Sequence, residues 1–105
     1  MFTINGKQWV IHLVSPNHPA LIREDGSVTI GACDDMTKII YVNDMLNDYM
    51  MRKVICHEIT HAAMFSYNVL LTLDQEELLA DLFATYGNEI ISITNRVFAK
   101  IKGGY

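Results

Sequence analysis

Cysteine is scarce in this 105-residue chain, with only Cys33 and Cys56. Two cysteines exclude a disulfide framework and point to a reducing compartment, the cytoplasm. Proline is equally rare. Both copies fall in Ser15-Pro16-Asn17-His18-Pro19, so no proline breaks a helix beyond that point. Long apolar runs are missing, which argues against a membrane span. The opening residues, Met1-Phe2-Thr3-Ile4-Asn5-Gly6-Lys7, lack the basic-then-apolar plan of a signal peptide. Positive charge is in deficit: 8 Lys+Arg face 12 Asp+Glu, for a net charge of -4. That excludes a nucleic-acid partner held by bulk positive charge. What the chain does have is apolar material, 50% against 19% charged residues. This is too apolar for a disordered chain and enough for one compact core. At roughly 100–200 residues per domain, residues 1–105 read as a single domain.

The chain divides into two halves of different pattern. Up to about Val42 it carries short β-type runs broken by turn signals. Phe2-Thr3-Ile4 precedes Asn5-Gly6, a type I′ hairpin signal, and Gln8 to Val14 follows as a strand. Ala20 to Arg23, Val28 to Cys33 and Lys38 to Val42 supply further short runs, giving four or five strands. Short connections predict antiparallel pairing. From Asn43-Asp44, read as a cap, a helical pattern runs from Met45 to about Tyr67. Asp74 is read as the cap of a second helix, Gln75 to about Ile101. There Leu78, Leu79, Leu82, Phe83, Tyr86, Ile90, Ile93, Val97, Phe98 and Ile101 follow helical spacing. Lys100 and Lys102 suit its C-terminal end, and Gly103-Gly104 stop it. The fold class is therefore α+β, a small antiparallel or mixed sheet packed on two helices.

The informative stretch is His57-Glu58-Ile59-Thr60-His61, an H-E-x-x-H. Residues four apart on a helix share a face, so both imidazoles can reach one tetrahedral ion. Glu58 is rotated about 100° from His57, so it faces a water rather than the ion. A carboxylate there can take a proton from a water whose pKa zinc lowers from 15.7 to about 7. In a chain of this composition the pattern arises by chance in fewer than roughly 1% of cases. Its apolar neighbours, Val54, Ile55, Ile59, Ala62 and Ala63, indicate burial, and buried His and Glu side chains need partners.

A catalytic zinc needs a third protein ligand and an open position. The positions three and six past the motif hold Met64 and Tyr67, not the glycine and histidine of a metzincin, and no histidine follows His61. A carboxylate from the second helix is the remaining choice, among Glu76, Glu77 and Asp81. Glu77 and Asp81 are four apart, so one can bind zinc while the other holds the far ring nitrogen of a ligand histidine. Thermolysin-like zincins are similar in this respect. This selects Glu77 as ligand and Asp81 as its supporting residue, whereas Glu76 has Ala80 four residues on. The competing reading makes Glu77 the N3 residue of a capping box opened by Asp74.

At these residues the chain resembles the small phage- and mobile-element-associated metallopeptidases of the ImmA/IrrE type. Those carry H-E-x-x-H on one helix and E-x-x-A-[ND]-x-F-A on the next. Here the second motif stands as Glu77-Leu78-Leu79-Ala80-Asp81-Leu82-Phe83-Ala84. The resemblance spans about Lys38 to Ala84. It implies zinc on His57, His61 and Glu77, Glu58 as general base, and a minimal zincin fold. It also implies a protein substrate, since some relatives cleave a repressor. The segment Thr85-Tyr86-Gly87-Asn88 departs from the apolar continuation of many members, and the chain has no room for the accessory domain that some carry.

The expected activity is a zinc-dependent endopeptidase acting on a protein or peptide partner, with neither nucleic acid nor membrane involved and the oligomeric state left open. The alternative is a catalytically silent zincin-fold module that docks on a regulatory or toxin protein. Candidates for stabilising the oxyanion are Tyr41, Tyr67, Tyr86, His12 and His18. Cys56 points off the ligand face and reads as a structural thiol, and Cys33 as a strand-end cysteine. Met45, Met50, Met51 and Met64 read as core packing.

Overall fold

Asn5 and Gly6 both adopt positive φ, 48° and 76°, and close a hairpin between β1 (Phe2–Ile4) and β2 (Lys7–Val14). This is the turn that the Asn-Gly pair favours, because its twist matches that of the flanking strands. The computed structural model describes residues 1–103 of the chain; Gly104, expected to help stop the second helix, lies outside them. After β2 the chain makes an excursion through the proline segment before β3 (Gly31–Asp34), then turns into β4 (Ile39–Asn43). The four strands lie in the order β1-β2-β4-β3.

Two sequence expectations change here. β2 and β4 pair parallel, with Val10 opposite Ile39 and Val14 opposite Asn43, so the sheet is mixed. The cause is the excursion: it reverses the chain once, β3 runs back, and β4 then re-enters alongside β2. The run Ala20 to Arg23 is not a strand. Pro19–Leu21 forms a 3₁₀ turn capped by the His18 side chain, and Ile22 makes only an isolated bridge to Val28. Proline with its preset φ at the first position favours that turn.

The helices begin elsewhere than expected as well. Asn43 still pairs in β4, and its side chain accepts from the Met45 amide in a local turn. The first helix, α1 (Asp48–Ser66), starts at Asn47, whose carboxamide oxygen accepts from the Met50 amide at 2.9 Å. The second, α2 (Leu73–Ile101), is capped by Thr72, not Asp74. The Thr72 hydroxyl accepts from the Gln75 amide, and the Gln75 carboxamide accepts from the Thr72 amide, a reciprocal box. Glu77 is therefore not a capping residue. At the far end Gly103, with φ 75°, terminates α2.

The core lies where the sheet meets α1: Trp9, Ile40, Val42, Val54 and Ala62 form one buried cluster. Ile40 and Val42 are two apart on β4 and so face the same side. The indole of Trp9 donates to the Ser66 hydroxyl at 2.9 Å, and Asn5 donates to the Ser66 carbonyl at 3.0 Å. These bonds fasten the first hairpin to the C-terminal end of α1. Among the methionines, Met64 is buried but Met45 is exposed, because it precedes the helix instead of lying on it.

Candidate metal centre

α1 and α2 are joined by a short loop and run antiparallel, which sets residue 61 of one beside residues 76 and 77 of the other. Nε2 of His57 and Nε2 of His61 lie 3.2 Å apart. The Glu77 carboxylate closes the group, with Oε1 2.8 Å from Nε2 of His61 and Oε2 3.4 Å from Nε2 of His57. These donors all fall within 4.8 Å of one another.

The outer ring nitrogens face carboxylates too. Nδ1 of His57 lies 3.0 Å from Oδ1 of Asp81, and Nδ1 of His61 lies 2.6 Å from Oε1 of Glu76. An ionised carboxylate accepts a hydrogen bond, so Asp81 and Glu76 suit the tautomer that carries its proton on Nδ1 and turns the Nε2 lone pair toward Glu77. In that tautomer two imidazole lone pairs and a carboxylate converge on one point, the donor set of a metal ion. The spacing fits one. Zinc–nitrogen bonds of 2.0–2.1 Å at the tetrahedral angle separate two ligand nitrogens by about 3.3 Å. His57, His61 and Glu77 are thus positioned to bind a metal ion, with Asp81 behind His57 and Glu58 lining the same cleft.

The residue that sequence reasoning set aside is Glu76. It sits against His61 as Asp81 sits against His57, and its side chain is better shielded, 17% exposed against 70%. A helix offset of four identifies Asp81 from Glu77; no comparable offset identifies Glu76. Its one signal is adjacency: in an antiparallel helix pair, the residue before the ligand reaches the imidazole one turn further along α1.

Glu58 is 7% exposed and makes no side-chain hydrogen bond or ion pair among the described residues; its carboxylate keeps its contact with solvent through the cleft. Burial pushes its pKa above the usual carboxylate range and the Glu77 charge adds to this, while His57 and His61 pull the other way. The sheet comes very close here. A Cβ built on Gly31 would lie 2.6 Å from Cγ1 of Val54 and 3.1 Å from Cγ of Glu58, so only glycine lets β3 approach α1 this closely.

β3 is an edge strand. The Asn43 amide donates to the Ile30 carbonyl at 3.0 Å, and antiparallel pairs alternate, so Ala32 and Asp34 turn their backbone groups toward β4. Gly31 and Cys33 turn theirs to the open edge, where the Gly31 carbonyl also accepts from the Thr29 hydroxyl at 3.1 Å. Beneath that edge runs a cleft with two lobes, of about 290 and 550 Å³. Arg23, Thr29, Gly31, His57, Glu58 and Glu77 line both, so the donors sit midway along it.

None of Tyr41, Tyr67, Tyr86, His12 and His18, the sequence candidates for the oxyanion, lines either lobe of this cleft. Tyr41 instead stacks with His18 and meets His12 edge-on. Cys33 lines the larger lobe but is not among the converging donors. Its thiol is pushed up to about 12, first by burial and then by the charges of Glu58, Asp35, Asp34 and Glu76.

A family model described as the IrrE N-terminal-like domain matches residues 14–91. No curated protein and no solved structure matches the chain. No helix among the described residues is long and apolar enough to cross a membrane.

Proposed function

The chain belongs to the family of IrrE N-terminal-like, metallopeptidase-type domains, and from that membership we propose that it is a zinc-dependent endopeptidase of the cytoplasm. Its proposed substrate is one protein partner, a regulator of a phage or mobile element. The observation that carries the reading is Glu58: a largely buried carboxylate beside three metal donors, facing the cleft with no hydrogen bond or ion pair to another described residue. A docking module has no use for such a group, which costs stability wherever it is not needed.

Two imidazoles and one carboxylate suit zinc, with an open position left for water. When bound to His57, His61 and Glu77, zinc lowers the pKa of a water and polarises a carbonyl. The protein supplies the rest. A substrate segment adds to the open edge of β3 in extended form, bonding to the backbone groups of Gly31 and Cys33. The scissile amide then lies over Glu58, and the cleft accepts chain on both sides of it, as internal cleavage requires. Glu58 takes the proton of the attacking water and returns it to the leaving nitrogen. Asp81 and Glu76 hold His57 and His61 in the tautomer that presents Nε2. Arg23, the cation that lines both lobes, takes the negative charge that develops on the carbonyl oxygen. Replacing Arg23 with Ala then lowers kcat and leaves metal content unchanged.

The test is Glu58→Gln, assayed for zinc content by mass spectrometry and for cleavage of proteins captured by that variant. One equivalent of zinc with cleavage abolished supports the reading. Undiminished cleavage removes Glu58 as the base, and zinc binding with no cleavage by either protein returns the chain to the docking alternative.

A further inference from the structure

α2 carries a second pattern that the metal centre does not use. Leu79, Phe83, Tyr86, Ile90, Ile93 and Val97 follow one another at spacings of four, three, four, three and four. That is the seam of a coiled coil. Each of the six is between 42% and 57% exposed, and α2 buries only Ala80 and Gly87. The register that sets His57 beside Asp81 sets Asp48, nine residues earlier, level with Ile90, nine residues later. Beyond Ile90 the helix therefore overhangs α1 by about 17 Å, at 1.5 Å per residue.

We propose that this seam pairs with the same seam of a second copy, antiparallel, to form a two-fold dimer. Charge selects both the occupant and its direction. The residues flanking the seam on one side are Leu82, Glu89 and Arg96, of which the last two are charged. In an antiparallel pair with Ile90 against Ile93 of the second copy, Glu89 meets Arg96 of that copy, and symmetry repeats the pair. A parallel pair would set Glu89 against Thr94 and Arg96 against Ile101, with no ion pair at all. The opposite flank carries Gly87 and Thr94, both small, which lets the helices approach.

The same register sets Tyr86 against Val97 of the second copy. It also brings that copy's last turn, with Ile101, to the apolar groove that Ile59, Ala63 and Tyr67 form beside Leu79 and Phe83. Tyr86 lies nine residues past Glu77, which at 100° per residue is half a turn away. The seam thus faces away from the metal centre, and pairing leaves the cleft open.

The experiment is sedimentation of the full chain across about 1–100 μM, with far-UV circular dichroism as the control for folding. The native chain is expected at twice its 11.9 kDa mass. The double variant Ile90→Asp, Ile93→Asp is expected as a folded monomer, because neither side chain belongs to the protomer core. Glu89→Arg and Arg96→Glu should each weaken the dimer by about 10-fold, since each sets like charges together twice. Combined, they should restore it. A native chain that stays monomeric at 100 μM overturns the proposal, as does a monomer that binds vesicles or another protein through this face. A dimer indifferent to the charge exchange overturns the antiparallel register.

Discussion

α1 carries polar side chains on a face that the fold buries, whereas α2 carries apolar side chains on a face that the fold leaves in water. In α1 the apolar rhythm is interrupted by His57, Glu58 and His61, yet Glu58 and His61 are each only 7% exposed. In α2 the rhythm is unbroken for six positions, and all six are substantially exposed. The difference separates two uses of a helix. Where chemistry is built, burial works on polar groups: carboxylates from α2 fix the imidazole tautomers, and a close strand shields Glu58. Where chemistry is absent, an exposed apolar seam with charges on its flank, amid further exposed apolar residues such as Leu78, Ile91 and Phe98, marks a surface for another surface. The two faces of α2 differ in the same way, since Glu77 and Asp81 serve the centre and Tyr86 lies half a turn from Glu77.

The contrast is tested hardest at Glu58. Exchanging it for Gln keeps size and the three metal donors and removes the proposed proton acceptor. Hydrolysis should fall by about 10²- to 10⁴-fold. An equal loss from a seam variant such as Ile90→Asp would erase the distinction between the two regions. Next comes Gly31→Ala. Its new methyl group would lie 2.6 Å from Val54, so β3 must lift from α1. The cost should be about 1–3 kcal/mol by denaturant unfolding, with a further loss of activity because Glu58 lies under the same methyl.

Part of this was legible in the sequence, and the rest was not for physical reasons. The H-E-x-x-H spacing and the offset of four from Glu77 to Asp81 are properties of one helix, so local geometry sufficed for them. The Asn5-Gly6 hairpin was likewise local. The parallel pairing of β2 with β4 depends on where a long excursion returns, which no short window encodes. Thr72 with Gln75 and Asp74 with Glu77 both have capping-box spacing, and the choice between them is tertiary: Glu77 is drawn to the histidines, so the box forms at Thr72. Glu76 escaped notice because its role depends on how α2 is set against α1, a tertiary fact. The periodicity of α2 was read correctly as a pattern, but a pattern does not say whether the covering surface belongs to the same chain.

The two carboxylates behind the histidines sharpen the comparison within the centre. Asp81→Asn and Glu76→Gln each keep a polar group against Nδ1 but remove the charge that holds its proton. Each should weaken zinc binding by about 10- to 100-fold in competition with a chelating dye. Glu76→Gln should cost more, because its pairing with His61 is shorter and better shielded than that of Asp81 with His57. An equal effect would mean that solvent reaches both pairs alike.

The last expected effect touches neither metal binding nor turnover and concerns Cys33, which reports on burial at the cleft. Its thiol is pushed from 9.0 up to about 12, so it stays protonated near pH 8. The thiolate is the form that attacks an alkylating reagent. Three units lower the thiolate fraction roughly 1,000-fold. The thiolate that does form is more nucleophilic, which returns part of that loss at a Brønsted slope of about 0.4–0.5. Alkylation of Cys33 at pH 8 should therefore run about 30- to 60-fold slower than in the urea-unfolded chain. The sign carries over to stability. Between about pH 9 and 12 the unfolded chain has lost this proton while the folded chain keeps it, so stability declines as pH rises through that window. Cys33→Ala should flatten the decline. Rapid alkylation of folded Cys33 would show that the strand edge above the metal centre is wet, and that the contrast between a shielded centre and an open α2 is weaker than the geometry indicates.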